Sequence, residues 1–161
     1  MALKIPTPPE ITFHFFCADP ANVGNVERIT AEEASGKSPD NVFLVKFRQG
    51  TIGEDTRRDS LIGQRKFASE DGRIVSLADV GQGALAHLEI GMTLTDTSLG
   101  LQDGSALRFV TSGSVRKIES EDQFSRWYNS IPSPWANEIY TACLEVNPSW
   151  DPSKRFSEPS E

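Results

Sequence analysis

Two stretches decide the fold: Ile11-Thr12-Phe13-His14-Phe15-Phe16-Cys17 and Val42-Phe43-Leu44-Val45-Lys46-Phe47-Arg48. Both are dense in β-branched and aromatic residues, which suit a pleated, half-buried surface, so each is predicted to be a strand. Asp19-Pro20 ends the first. The polar residues 21–40 between them read as irregular, with a short helical turn after Thr30. The two strands can pair across this connection. A lone hairpin is marginal in water, so other elements must pack on it. Upstream, Pro6, Pro8 and Pro9 fix φ and remove backbone donors, which makes residues 1–10 an extended arm.

After Arg48 the periodicity becomes helical. Thr51-Ile52-Gly53-Glu54 has capping-box spacing and opens a helix expected to reach about Ala68, with Leu61, Ile62 and Phe67 inward. Asp71-Gly72 marks a turn. Ser76-Leu77-Ala78-Asp79 resembles a further capped start. Leu77, Val80, Ala84, Leu88 and Met92 then recur on one helical face. Gly81 and Gly83 each cost about 1 kcal/mol inside a helix, which argues for a kink or a late start. Asp103-Gly104, between Leu99-Gly100-Leu101 and Leu107-Arg108-Phe109-Val110, reads as a small hairpin or an irregular loop. Ser120 caps a short helix with Phe124 and Trp127 on one side. Ser133-Pro134 reads as a cap followed by proline at the first helical position, where its missing donor costs nothing. Trp135, Ile139, Cys143 and Val146 form one stripe of that helix. Asn147-Pro148 stops it, with Trp150 anchoring the turn, and the polar residues 151–161 form a flexible tail. The predicted architecture is α+β: a small N-terminal antiparallel β element packed on a mainly helical body, with residues 11–150 as one domain.

The chain has 161 residues, enough to bury a core without disulfides. Its formal charge of -7 repels phosphate backbones, which disfavours nucleic acid as a partner. Its 2 cysteines, Cys17 and Cys143, are too few for a disulfide framework and suit a reducing compartment. The N-terminus lacks an apolar run of signal-peptide length, and no apolar stretch is long enough to span a bilayer. The expectation is a cytoplasmic protein with no membrane partner.

Chemistry-bearing patterns are sparse. Gly81-Gln82-Gly83-Ala84-Leu85-Ala86 fits the G-x-G-x-x-A form of the dinucleotide fingerprint, with Arg73-Ile74-Val75-Ser76-Leu77 as the strand before it. That fold needs further alternating strands and helices, which the rest of the chain does not supply. His14 and Cys17 are three apart in a strand and so face opposite sides. His87 has Asp79 and Glu89 nearby but no second histidine at ligand spacing. A site from His14, Cys17, His87 and Cys143 would have to gather scattered singletons, and Cys143 suits a core position better. Glu54, Asp55, Asp71, Glu119, Glu121 and Asp122 sit at caps and turns, where carboxylates complement helix dipoles. Arg57-Arg58 and Arg65-Lys66 read as a solvated basic face, with an acidic partner as the alternative. No catalytic residue, cofactor or metal is expected.

The stretch His87–Trp150 resembles the tail assembly chaperones of long-tailed bacteriophages. The residues that carry the likeness are Leu88-Glu89-Ile90, Leu94-Thr95-Asp96-Thr97-Ser98-Leu99, Asp103-Gly104, Phe124 with Trp127, Ile131-Pro132, Glu138-Ile139 and Asn147-Pro148-Ser149-Trp150. Val45-Lys46-Phe47-Arg48-Gln49-Gly50-Thr51-Ile52-Gly53-Glu54 is similar to that family's strand-then-helix opening. The resemblance implies a non-enzymatic protein of the host cytoplasm that coats the tape measure protein, recruits tail tube subunits and leaves before the particle is complete. Such a role needs exposed apolar or aromatic surface. Trp127, Trp135 and Trp150 are the candidate partner-binding residues, the competing reading being that they form a small core between two helices and the tail. Self-association is a further expectation. The rival functions are a structural phage component or another protein-interaction module, with a nucleotide-binding enzyme after those.

Overall fold

Phe13, Phe15 and Cys17 alternate with Thr12, His14 and Phe16 along strand β1 (Glu10–Cys17), and this period of two separates a core face from an outer face. The structure is a computed structural model that describes residues 2–22, 24–67 and 82–151. Residues 2–9 carry no helix or strand. Strand β1 pairs antiparallel with β3 (Val42–Arg48), from Glu10 opposite Arg48 to Phe16 opposite Val42, which is the pairing the sequence predicts. Two further strands join them. Strand β2 (Val26–Ile29), in a stretch read as irregular, pairs with the other edge of β1. Its four residues include Glu27 and Arg28, too little pattern to register alone; the unpaired donors of β1 recruit it. Strand β4 (Leu94–Thr97) pairs with β3, with a register shift between Lys46 and Phe47. The sheet order is β2-β1-β3-β4, antiparallel throughout, so the N-terminal β element borrows its last strand from mid-chain.

The helices begin where local caps allow. Helix α1 (Ala31–Ser35) starts after Thr30, whose hydroxyl accepts from the Glu33 N–H. Helix α2 (Ile52–Phe67) has the expected capping box: Glu54 N–H donates to Thr51 Oγ1 at 3.3 Å, and Thr51 N–H to Glu54 Oε1 at 3.0 Å. Its inward side is the one expected at Leu61 and Ile62, while the side chain of Phe67 lies outside the described residues. Ile62 is buried and Leu61 half-buried, and the same stripe extends back through Arg58 to Glu54 and Asp55. Helix α3 (Gln82–Thr93) starts late, near the two glycines. Its buried residues include Leu85, Ala86, Glu89, Ile90 and Thr93; of the expected stripe Met92 is buried, whereas Ala84 and Leu88 are half-buried. The expected stripe is therefore rotated, because this helix is packed on more than one side. The Asp71-Gly72 turn, the Ser76 cap, Leu77, Val80 and the tail from Pro152 onward lie outside the described residues.

Asp103-Gly104 is a turn in an irregular loop, with Gly104 at φ +86°. The hairpin follows it, as β5 (Phe109–Ser112) and β6 (Val115–Ile118) around Gly113 at φ +65°, a conformation that favours glycine. Ser120 caps helix α4 (Glu121–Asn129) through the Gln123 N–H. Helix α5 (Ser133–Val146) starts one residue earlier than expected. Pro132 holds the cap position without a side-chain bond, so Ser133 is not the cap.

The core lies between the sheet's inner face and the helices. Phe15, Phe43, Val45 and Phe47 meet Ala86 and Ile90 of α3, Phe124 and Trp127 of α4, and Ile139, Ala142 and Cys143 of α5. An Arg28–Glu145 ion pair ties β2 to α5. The fold is α+β.

Candidate functional site

Helix α3 has two working sides. Leu85, Ala86, Glu89, Ile90 and Thr93 are buried, while the half-buried His87, Leu88 and Gly91, with the buried Met92, line an open groove. The opposite walls are Phe124 and Ser125 of α4 and Val110, Lys117, Ile118 and Glu119 of the hairpin region. Glu54 and Arg57 of α2 and Glu121 of α4 add charge to the rim. The groove encloses about 420 Å³. Gly91 permits the closeness of α3 and α4: a Cβ there would lie 2.9 Å from the Phe124 ring.

Inside the groove, His87 Nε2 and Ser125 Oγ lie 3.0 Å apart. The imidazole packs against Phe124 at 5.0 Å and meets Tyr128 edge-on at 5.3 Å. Burial lowers the His87 pKa, and the Glu121 charge offsets part of that. A neutral histidine within reach of a hydroxyl is the start of a nucleophile–base pair. The pair lacks a third group here, since no described residue hydrogen-bonds Nδ1. Ser125 also sits in a regular helix, where backbone N–H groups are engaged and offer no oxyanion site.

Beside the groove lies a seam of buried charge that the sequence concealed. Arg58 was expected on a solvated face, but its side chain is 2% exposed and its Nε donates to Glu89 Oε1 at 2.8 Å. Glu89 also accepts from the Tyr140 hydroxyl at 2.9 Å. Burial, then the Glu89 charge, push the Tyr140 pKa upward. Arg48 makes a forked pair with Glu54, at 2.6 and 2.8 Å, and donates to the Met92 carbonyl. Burial raises the Glu54 pKa, but the Arg48 and Thr51 hydrogen bonds outweigh it and leave the carboxyl below its ordinary value. Asn147 stitches the seam to the C-terminal turn: its Oδ1 accepts from Gly50 N–H at 2.7 Å, and its Nδ2 donates to the Arg48 and Cys143 carbonyls. One sign of this was readable. Glu89 stands among Leu85, Ala86 and Ile90 on the apolar side of α3, where a carboxylate needs a partner.

Two of the three tryptophans share the main core, Trp127 within it and Trp135 packed against it, while Trp150 is buried apart from that cluster. Trp127 is buried and donates to the Leu99 carbonyl at 2.8 Å. Trp150 is buried over Gly50 and donates to Asp55 at 2.6 Å, while its carbonyl accepts from Arg58. Both candidate contact residues are thus buried in this conformation. Trp135 is half-buried and stacks on Phe43 at 5.1 Å.

The other motifs do not converge. Cys17 donates to the Asp19 carbonyl, Cys143 bonds Thr93 and His87 bonds Ser125, so these groups serve separate places. Among the described residues no group of three or more His, Cys, Asp or Glu could hold a metal ion. Gln82 to Ala86 of the glycine motif lie at the start of α3, while Gly81 and the strand expected before it fall outside the described residues. The sheet that is described is antiparallel, unlike the parallel unit that motif serves. Among the described residues no helix is long and apolar enough to cross a membrane. No protein-family model, no curated protein and no solved structure matches this chain.

Proposed function

We propose that this chain is a non-enzymatic protein-binding module that acts in the cytoplasm as a phage tail assembly chaperone, keeping the tape measure protein soluble and recruiting tail tube subunits. The groove between α3, α4 and the hairpin is the observation that carries this reading. Its lining combines apolar Leu88, Met92, Val110, Ile118 and Phe124 with charged Glu54, Arg57, Lys117, Glu119 and Glu121. A helix that buries an apolar stripe in such a groove needs this combination. Many weak contacts along a long partner sum to firm binding and still permit release to a growing tail tube. The groups with chemical potential, Arg58, Glu89, Tyr140 and Cys143, are tied into the seam, which suits a binding role better than a reactive one.

Co-expression with the tape measure protein tests the reading. The partner is expected to stay soluble and to elute with several copies of this chain. Val110→Asp, at an exposed position in the groove, is expected to weaken the complex about tenfold or more. A partner that stays insoluble beside folded chain, with no complex on size exclusion, would sink the proposal.

A further inference from the structure

The first two turns of α2 serve two neighbours at once. Glu54 and Arg57, three apart, line the groove. Asp55 and Arg58, one step round the helix, meet the C-terminal turn instead. Asp55 Oδ1 accepts from Trp150 Nε1 at 2.6 Å, and Arg58 donates to the Trp150 carbonyl at 3.2 Å. Just ahead of the helix, Gly50 N–H donates to Asn147 Oδ1 at 2.7 Å. The turn that offers these partners, residues 147–150, follows α5 directly, and α5 is held in the core by Ile139, Cys143 and Val146.

The indole has a closely fitted seat. Trp150 is 3% exposed and rests on Gly50, where a Cβ would come within 2.7 Å of its Cζ2 and 2.8 Å of its Cη2. Only Gln49, Gly50 and Thr51 separate β3 from α2, so the ring lies on the joint from which the helix starts. The described side-chain bonds that tie those two turns elsewhere are ion pairs: Arg48 with Glu54, Arg58 with Glu89 and the exposed Arg57 with Glu121. When both partners of a buried pair separate into water, regained hydration offsets much of the lost attraction. The closed seam also leaves Arg48 Nε buried with no hydrogen-bond partner among the described residues, which disfavours it further. Downstream, Leu61 and Ile62 pack with Leu85 in a cluster apart from the main core. Trp150 is therefore the large apolar group that holds the start of α2 in place.

We infer that the C-terminal turn is a latch on α2. Seated, it keeps Glu54 and Arg57 at the groove wall and Arg58 buried. Withdrawn, it frees the first two turns of α2, so that both groups leave the wall and Arg58 reaches water. The turn contributes no lining residue to the groove, yet the two are coupled through one helix. A ligand that needs the α2 wall favours the seated latch, and a seated latch favours that ligand by the same factor. The latch is independent of the chaperone reading, and the chain alone tests it.

Labelling of the full chain with phenylglyoxal, mapped by peptide mass spectrometry, supplies the test. Arg57 is exposed and calibrates the reagent, while its buried neighbour Arg58 reports the latch. The buried Cys143 thiol, followed with a thiol reagent, reports global unfolding. Gly50→Ala drives Trp150 from its seat and is expected to speed Arg58 labelling about tenfold, with Arg57 and Cys143 unchanged. Trp150→Phe lacks the donor to Asp55 and the two ring carbons nearest Gly50. It should speed Arg58 labelling about two- to fivefold, and adding Gly50→Ala should speed it no further, because the clash is gone. In proton NMR spectra of Gly50→Ala, the ring signals of His87 in the groove should shift while those of His14 on β1 stay. Should Gly50→Ala fail to fold, Trp150→Phe decides by the same comparison of Arg58 with Cys143. Arg58 labelling that stays at the wild-type rate, or that rises in step with Cys143, overturns the latch. A double variant faster than Trp150→Phe alone overturns Gly50 as its seat. Faster Arg58 labelling with unmoved His87 signals overturns the coupling to the groove.

Discussion

Arg57 and Arg58 are adjacent in the chain, yet their side chains are 58% and 2% exposed. A helix turns neighbours apart, and here it sends them into two regions with opposite treatment of charge. Arg57 sits on the groove rim, 3.2 Å from Glu121 and wet. Arg58 enters the seam, 2.8 Å from a Glu89 that is itself fully buried. In water an ion pair nearly breaks even, whereas in a dry seam the surviving partner of a broken pair is left uncompensated. The groove can therefore change its charges at little cost, while the seam holds its charges rigidly and locks the C-terminal turn onto α2.

The largest effect expected is the contrast between those two arginines. Arg58→Ala should lower the free energy of unfolding by about 3–5 kcal/mol, because it takes the compensating positive charge from the buried Glu89 carboxylate. Arg57→Ala should cost about 1 kcal/mol or less. Urea denaturation of both variants measures this, and equal losses would break the comparison. Next come the tryptophans. Trp150→Ala and Trp127→Ala each empty a large buried site and should cost about 3–5 kcal/mol. Trp135→Ala, from a half-buried position, should cost less and leave the far-ultraviolet dichroism intact. A Trp135 variant as unstable as the other two would place it in the same class.

The smallest effect separates the regions by pH. The folded Glu54 carboxyl lies below its ordinary value of 4.5, so the unfolded chain binds the proton more readily. Its contribution is whole above that ordinary value and is lost as pH falls through the lower folded value. Glu54→Gln should flatten this acid limb of the stability curve. His87, lowered from 6.5, acts in the same direction at higher pH: stability declines as pH falls below its ordinary value. His87→Gln should remove that shallower step and leave the Glu54 limb in place. Thermal melts at a series of pH values distinguish the two, and a single shared step would merge the regions.

What was legible in the sequence was local. The caps at Thr30, Thr51 and Ser120 need only a side chain and a donor three residues on, so composition alone reveals them. The alternation along β1 and β3, the Phe124–Trp127 side of α4 and the Ile139–Cys143–Val146 stripe of α5 are set by backbone period. The candidate site was hardly legible. Its lining comes from α2, α3, α4 and the hairpin region, and no window of sequence spans all four.

The sequence by itself determined the class of the fold, its two central strands and their pairing, and where three helices start. Hydrophobic period and capping chemistry act within a few residues and leave a readable mark. The tertiary structure alone decided the rest. It added β2 and β4, short strands that draw their order from hydrogen bonds offered by a neighbour. It turned Arg58 inward, because the Glu89 that makes burial affordable stands 31 residues away. It also kept Trp127 and Trp135 on the main core and set Trp150 apart, since each found its polar or stacking partner, Leu99, Phe43 or Asp55, in a segment folded back from earlier in the chain.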